Sequence, residues 1–189
     1  TAGIRERFPE LAEHRALLMA AKGDGAGAVA AVRATALLGG NRSSALRLAV
    51  AAALAGRGQR DQALSLLDGN DPAIAAARAR VTAGKPLAGA VDSAAAGLST
   101  LLVRLAADIT REKLSILSIS LARNALLLTP DNSAAMVTMS AALASGNYNE
   151  EALALLARVS PDDPLAPAAL DSRITLLQRM DDNAGALKL

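Results

Sequence analysis

Ala152 and Ala186 stand 34 residues apart, and so do Pro130 and Pro164, within one run of alternating helical patterns. A spacing shared by a small residue and a helix breaker sets a unit length. Thirty-four residues is the length of a helix–turn–helix unit that cannot bury its own apolar face and must stack on copies of itself. The spacing therefore predicts an all-α array. Composition agrees: 52% of residues are apolar, and Phe8 and Tyr148 are the only aromatics. Alanine and leucine dominate, and these are the best apolar helix formers, whereas the β-branched and aromatic strand formers are scarce.

The same composition narrows the function classes. A chain without cysteine has neither a disulfide framework nor a thiolate metal site. The net charge is +2, and the basic residues are scattered singly, which is not the footprint of a nucleic-acid binder. Apolar runs such as residues 48–55 fall far short of the roughly 18 residues a membrane span needs. The chain starts at Thr1 without a methionine and stops at Leu189 inside a repeat. The expectation is a segment of a longer protein whose targeting sequence lies elsewhere, from the bacterial cytoplasm or periplasm.

The clearest unit covers residues 133–164. Met136, Met139, Ala142 and Leu143 form one helical face over residues 133–145. Asp131, Asn132 and Ser133 supply oxygens to cap its first turn, and Gly146 and Asn147 tolerate the left-handed conformation that ends it. A second helix follows over residues 149–159, carrying Ala152, Leu153, Leu155 and Leu156, and stops at Pro161 and Pro164.

This arrangement resembles the tetratricopeptide repeat family, as a divergent bacterial-type array. With Ser133 as position 1, Ser140 takes position 8, Ala152 position 20, Leu156 position 24 and Pro164 position 32. The family prefers small residues at 8 and 20, a bulky one at 24 and proline at 32. Met136, Leu143 and Val159 replace its usual Trp, Tyr and small residue at 4, 11 and 27. The resemblance implies a right-handed α–α superhelix of about five helical hairpins.

Other stretches follow the same ruler. Ala186 holds position 20 of a next unit that begins near Pro167. Before residue 133, Leu102, Leu105, Ala106 and Ile109 fall at 4, 7, 8 and 11, and Ser118, Ala122 and Ala125 at 20, 24 and 27. Residues 44–67 align with 133–156 without a gap, pairing Leu54 with Leu143 and Ala63 with Ala152. Residues 11–21 and 28–38 read as an earlier hairpin around the Gly23–Gly27 turn. The register fails in between: Asp71 and Pro72 start one short helix, and residues 84–92 form an irregular linker before a long helix restarts near Ser93. The expected organisation is N-terminal hairpins over residues 1–70, a degenerate repeat and linker over 71–92, and C-terminal hairpins over 93–189, the last truncated.

No constellation of catalytic side chains stands out, and no cofactor is expected. His14 is the single histidine, expected to face solvent on a helix. The glycines of residues 23–27 follow a helix rather than a strand and lack a Gly-Lys-Ser/Thr ending, unlike a phosphate loop. The acidic pairs Glu150/Glu151, Asp162/Asp163 and Asp181/Asp182 fall at turns or first helical turns, where they favour the helix dipole.

The family resemblance implies that the first helix of each hairpin lines a concave surface through positions 2, 5, 9 and 12. The residues placed there are Ala45, Leu48, Ala52 and Ala55; Ser99, Val103, Ala107 and Thr110; Ala134, Val137, Ala141 and Ala144; and Ala168, Asp171, Thr175 and Gln178. The expected partner-binding set is Leu48, Ala52, Ala55, Val103, Ala107, Val137, Ala141, Ala144, Thr175 and Gln178. Such a groove suits an apolar or amphipathic helix. The expected function is a non-enzymatic scaffold that binds a protein or peptide, with self-association through the truncated last hairpin as a further option. The alternative is a structural or regulatory segment of a larger enzyme or envelope assembly protein whose active domain lies outside the chain.

Overall fold

Each well-capped helix begins where an oxygen-bearing side chain meets free backbone donors. Asp71 accepts from the N–H groups of Ala73 and Ile74, with Pro72 at the first helical position. Ser93, Asn132 and Asp182 cap later helices in the same way. The structure is a computed structural model that describes residues 9–35, 40–112 and 115–189. Helices are the only regular elements among the described residues, and the chain divides into two compact units, Thr1–Asp92 and Ser93–Leu189.

The first unit contains α1 (Pro9–Lys22), α2 (Gly25–Thr35), α3 (Gly40–Gly56), α4 (Arg60–Leu64) and α5 (Pro72–Thr82). α1 and α2 form one hairpin and α3 and α4 another, while α5 packs on α3 and α4. Val50, Leu54, Leu67 and Ile74 are fully buried at its centre. Residues 85–92 form no helix, yet Leu87 is buried, and Ala90 and Val91 pack on the same core.

The second unit contains α6 (Ala94–Arg111), α7 (Ser115–Leu128), α8 (Ser133–Ser145), α9 (Asn149–Leu156), α10 (Ala166–Arg179) and α11 (Asn183–Leu187). They pair in order as three hairpins, with α8 packed on α6 and α7 and α10 packed on α9. Met136, Leu155, Leu156, Val159 and Leu176 make its core.

One turn recurs in both units. The N–H groups of Asp24, Gln59, Lys85, Tyr148 and Asp182 each reach back five residues, to the carbonyls of Met19, Leu54, Arg80, Leu143 and Leu177, all at 2.9 Å. The residue before each donor has a left-handed backbone: Gly23, Gly58, Gly84, Asn147 and Asp181, at φ from 61° to 84°. This is the bonding that satisfies the last carbonyls of a helix. The turn of the α6–α7 hairpin falls on Lys113 and Leu114, outside the described residues.

Four of the hairpins share a second mark, a pair of small residues at the place where the helices cross. Ala16 and Ala28, Ala51 and Ala63, Ala106 and Ser118, and Ser140 and Ala152 are each twelve residues apart and buried. Where one partner is serine, its hydroxyl donates to the carbonyl of the alanine opposite: Ser118 to Ala106 at 2.8 Å, Ser140 to Ala152 at 3.2 Å. The hydroxyl sits on the second helix in one hairpin and on the first in the next.

Turns and crossings together place the unit starts at Pro9, Ser44, Asn70, Ser99, Ser133 and Pro167. The register break is thereby resolved. The unit from Ser44 is shortened because α4 has only five residues, and the unit from Asn70 keeps its first helix and turn but has no second helix.

The first residue of a unit also reaches towards the next one. Ser44 donates to the Asp71 carboxylate and Ser133 to the Asp163 carboxylate, both at 2.7 Å. Ser99 accepts from the Asn132 amide at 2.9 Å.

Candidate functional site

The expected groove residues divide between the two units: Leu48, Ala52 and Ala55 in the first, and the other seven in the second. Ala52 belongs to the core, with 2% of its surface exposed, and is not a groove residue. Leu48 and Ala55 are half-buried against that core. Ser99 is also a core residue, its hydroxyl donating to the Ala125 carbonyl at 3.0 Å. The two corrections have different reasons. In a hairpin crossed at small residues, alanine fits the buried side as readily as the open one; Ser99, counted from Leu102 at position 4, is the first residue of its unit, and half-buried Thr100 holds the second place.

In the second unit Val103 and Ala107 on α6 and Val137 and Ala144 on α8 are half-buried, and Ala141 is exposed. α6 and α8 are packed neighbours, so these five residues stand on adjacent first helices. Thr175 and Gln178 on α10 are exposed. His14 is half-buried on α1 rather than open to solvent.

The more prominent apolar surface lies on the hairpin's other positions. Leu98 and Leu105 on α6 and Ile116, Leu117, Leu127 and Leu128 on α7 are exposed, Ile116 to 85% and Leu127 to 75%. Leu98, Leu101, Leu102, Leu105 and Ile109 follow the i, i+3, i+4, i+7, i+11 pattern of one α6 face, all at least partly open. Scattered exposed leucines are ordinary, but six exposed large apolar residues on one hairpin are a concentration of the kind found at interaction surfaces. The signal was present in the sequence at the start of α7, where Leu117 takes the place of Gln62 and Glu151. Ile116 stands where Asp61 and Glu150 stand in their units.

Several arginines of the first unit are engaged in its own structure. Arg78 donates to the carbonyls of Leu67 at 2.6 Å and Gly69 at 2.8 Å. Arg47 donates to the carbonyls of Leu66 and Asp68, Arg57 to that of Ala21, and Arg60 to that of Thr82. Guanidinium groups here satisfy the carbonyl ends of helices and turns. A shallow cleft beside Arg47, of about 240 Å³, is lined by Arg33, Ser43, Ser65 and Asp68 among others.

Burial pushes the Asp71 carboxyl upward. Hydrogen bonds from Ser44 and from the Ile74 and Ala73 N–H groups, with the Arg47 charge, outweigh that effect and hold it below the ordinary aspartate value of 3.8. Asp163 is buried and accepts from Ser133 and from the Leu165 N–H at 2.8 Å. The Asp71 carboxylate joins two successive repeats, and the Asp163 carboxylate joins the start of its own repeat to the chain that leads into α10. Among the described residues, no group of three or more His, Cys, Asp or Glu side chains is placed to hold a metal ion, and no helix is long and apolar enough to cross a membrane. Comparison of the chain with protein-family models, with curated proteins and with solved structures finds no match in any of the three.

Proposed function

We propose that the chain is a non-enzymatic protein-interaction module, a divergent tetratricopeptide-type array whose hairpins stack as a right-handed superhelix within each unit. The observation that carries this reading is the concentration of exposed large apolar side chains on one hairpin, α6 and α7, from Ile116 at one end of α7 to Leu127 at the other. A surface of that kind is costly to leave in water and stabilising once covered, at about 25 cal/mol per Å² of apolar area buried. The ligand it suits is an amphipathic helix or apolar segment of a partner protein. The small-residue strip of Val103, Ala107, Val137, Ala141 and Ala144 allows such a segment to approach the backbone closely.

The test is site-specific photo-crosslinking in the native cell, with the probe at Ile116, at Leu127 and, as an exposed control, at Ala154. The reading requires one partner adduct from both apolar positions, absent from the control and lost in an Ile116→Asp/Leu127→Asp variant that remains folded. Adducts no different from the control refute it. A second reading, self-association, is favoured by Leu187, which is 89% exposed on α11. It predicts a dimer in light scattering that Leu187→Glu returns to monomer.

A further inference from the structure

The unit that starts at Asn70 has every part of a hairpin except its second helix. Ala77 is buried at the crossing position of α5, and the turn at Gly84 and Lys85 carries the same 2.9 Å bond as the complete hairpins. In those hairpins the second helix begins two residues after the left-handed residue. Gly25, Arg60, Asn149 and Asn183 follow Gly23, Gly58, Asn147 and Asp181 in this way. Pro86 occupies that place here, and proline is favoured at a first helical position because its missing N–H is not needed there. Gly89 occupies the crossing place held elsewhere by Ala28, Ala63, Ser118 and Ala152, and it meets the same demand for a small residue. Six residues, 86–91, separate the turn from the Asp92–Ser93 entry to α6. α4 demonstrates that five residues suffice for a second helix in this chain.

Two features hold the segment out of that helix. Gly89 has φ +86°, a left-handed conformation that no α-helix contains. Leu87 is turned inward, only 8% exposed. In the complete hairpins the residue at the place of Leu87 faces water: Ala26, Asp61, Ile116, Glu150 and Ala184 are all exposed. Helix formation would therefore turn Leu87 from the core to the surface.

We propose that residues 85–92 are a two-state segment. In one state they form a coil with Leu87 inside; in the other, a helix from Pro86 with Leu87 outside. The states differ in the surface they offer, so a partner with an apolar pocket for Leu87 shifts the population towards the helix in proportion to its preference for that state. The partner's part rests on the interaction-module reading; the two states do not, and they are tested without a partner.

The experiment uses the full chain and reads backbone ¹³Cα shifts and amide exchange over residues 86–91. Gly89→Ala penalises the left-handed coil, and Leu87→Ser removes the inward anchor. Either change is expected to move the shifts to helical values and slow exchange. Gly89→Asn, which tolerates the left-handed conformation, is expected to keep the coil. Coil shifts or an unfolded first unit in both the alanine and serine variants overturn the proposal, and so does a helical asparagine control. The crosslinking at Ile116 and Leu127 reports independently on the interaction reading.

Discussion

At Asp71 one carboxylate caps α5 through two N–H groups and accepts from the Ser44 hydroxyl, so three hydrogen bonds are strengthened by its charge. Asp71→Ala is expected to cost about 1–2 kcal/mol in urea unfolding at neutral pH. The pH dependence follows from the depressed folded value. A carboxyl whose pKa is lower in the folded state contributes its full stability above its unfolded value, near 3.8, and loses it as pH falls through the folded value. The urea midpoint of the first unit should therefore hold level from pH 7 to about 5 with respect to this group and drop below 3.8; Asp71→Asn should flatten that part of the fall. Ala52 poses a different residue-level question, because its surroundings leave no space. Ala52→Arg should destabilise the first unit by at least ~2 kcal/mol, whereas Ala141→Glu, at an exposed place, should stay within about 0.5 kcal/mol. Thermal melts of the two variants separate these outcomes.

Among the elements, the recurring turn makes the most specific demand on sequence. Gly58 has φ +77° with no atom near its would-be Cβ, so Gly58→Ala should cost about 1–2 kcal/mol through backbone conformation alone. Leu156 is fully buried in the second core, and Leu156→Ala should cost roughly 2–5 kcal/mol in denaturant unfolding. Element boundaries were legible wherever a cap or a left-handed turn is spelled out in residue type. α8 covers residues 133–145 as its flanking Asn132 and Gly146 imply, α5 begins after Asp71, and α6 begins after Ser93. The faces were less legible. Alanine reads alike whether it lines a groove or a crossing, so Ala52 reads as an open-side residue although its helix buries it, while Ser99 stands one place before the groove position of its unit. The register break was legible at residues 71–92, but its full extent was not, because the unit before it is shortened as well and no single spacing spans the two. The apolar residues of α7 escaped notice for a related reason: leucine is so common in this chain that an exposed one resembles a core one.

At the scale of the molecule, the two units keep separate hydrophobic cores. Fragments ending at Asp92 and beginning at Ser93 should each give a helical circular dichroism spectrum and a cooperative melt; a fragment without a transition would place part of its core in the other unit. Within the second unit the crossing serines add a bond that the alanine pairs of the first unit lack: Ser118 lends its hydroxyl from the second helix of its hairpin and Ser140 from the first. Each such bond ties one helix to the backbone of its partner, so it fixes how far the two have slid past each other as well as how closely they approach.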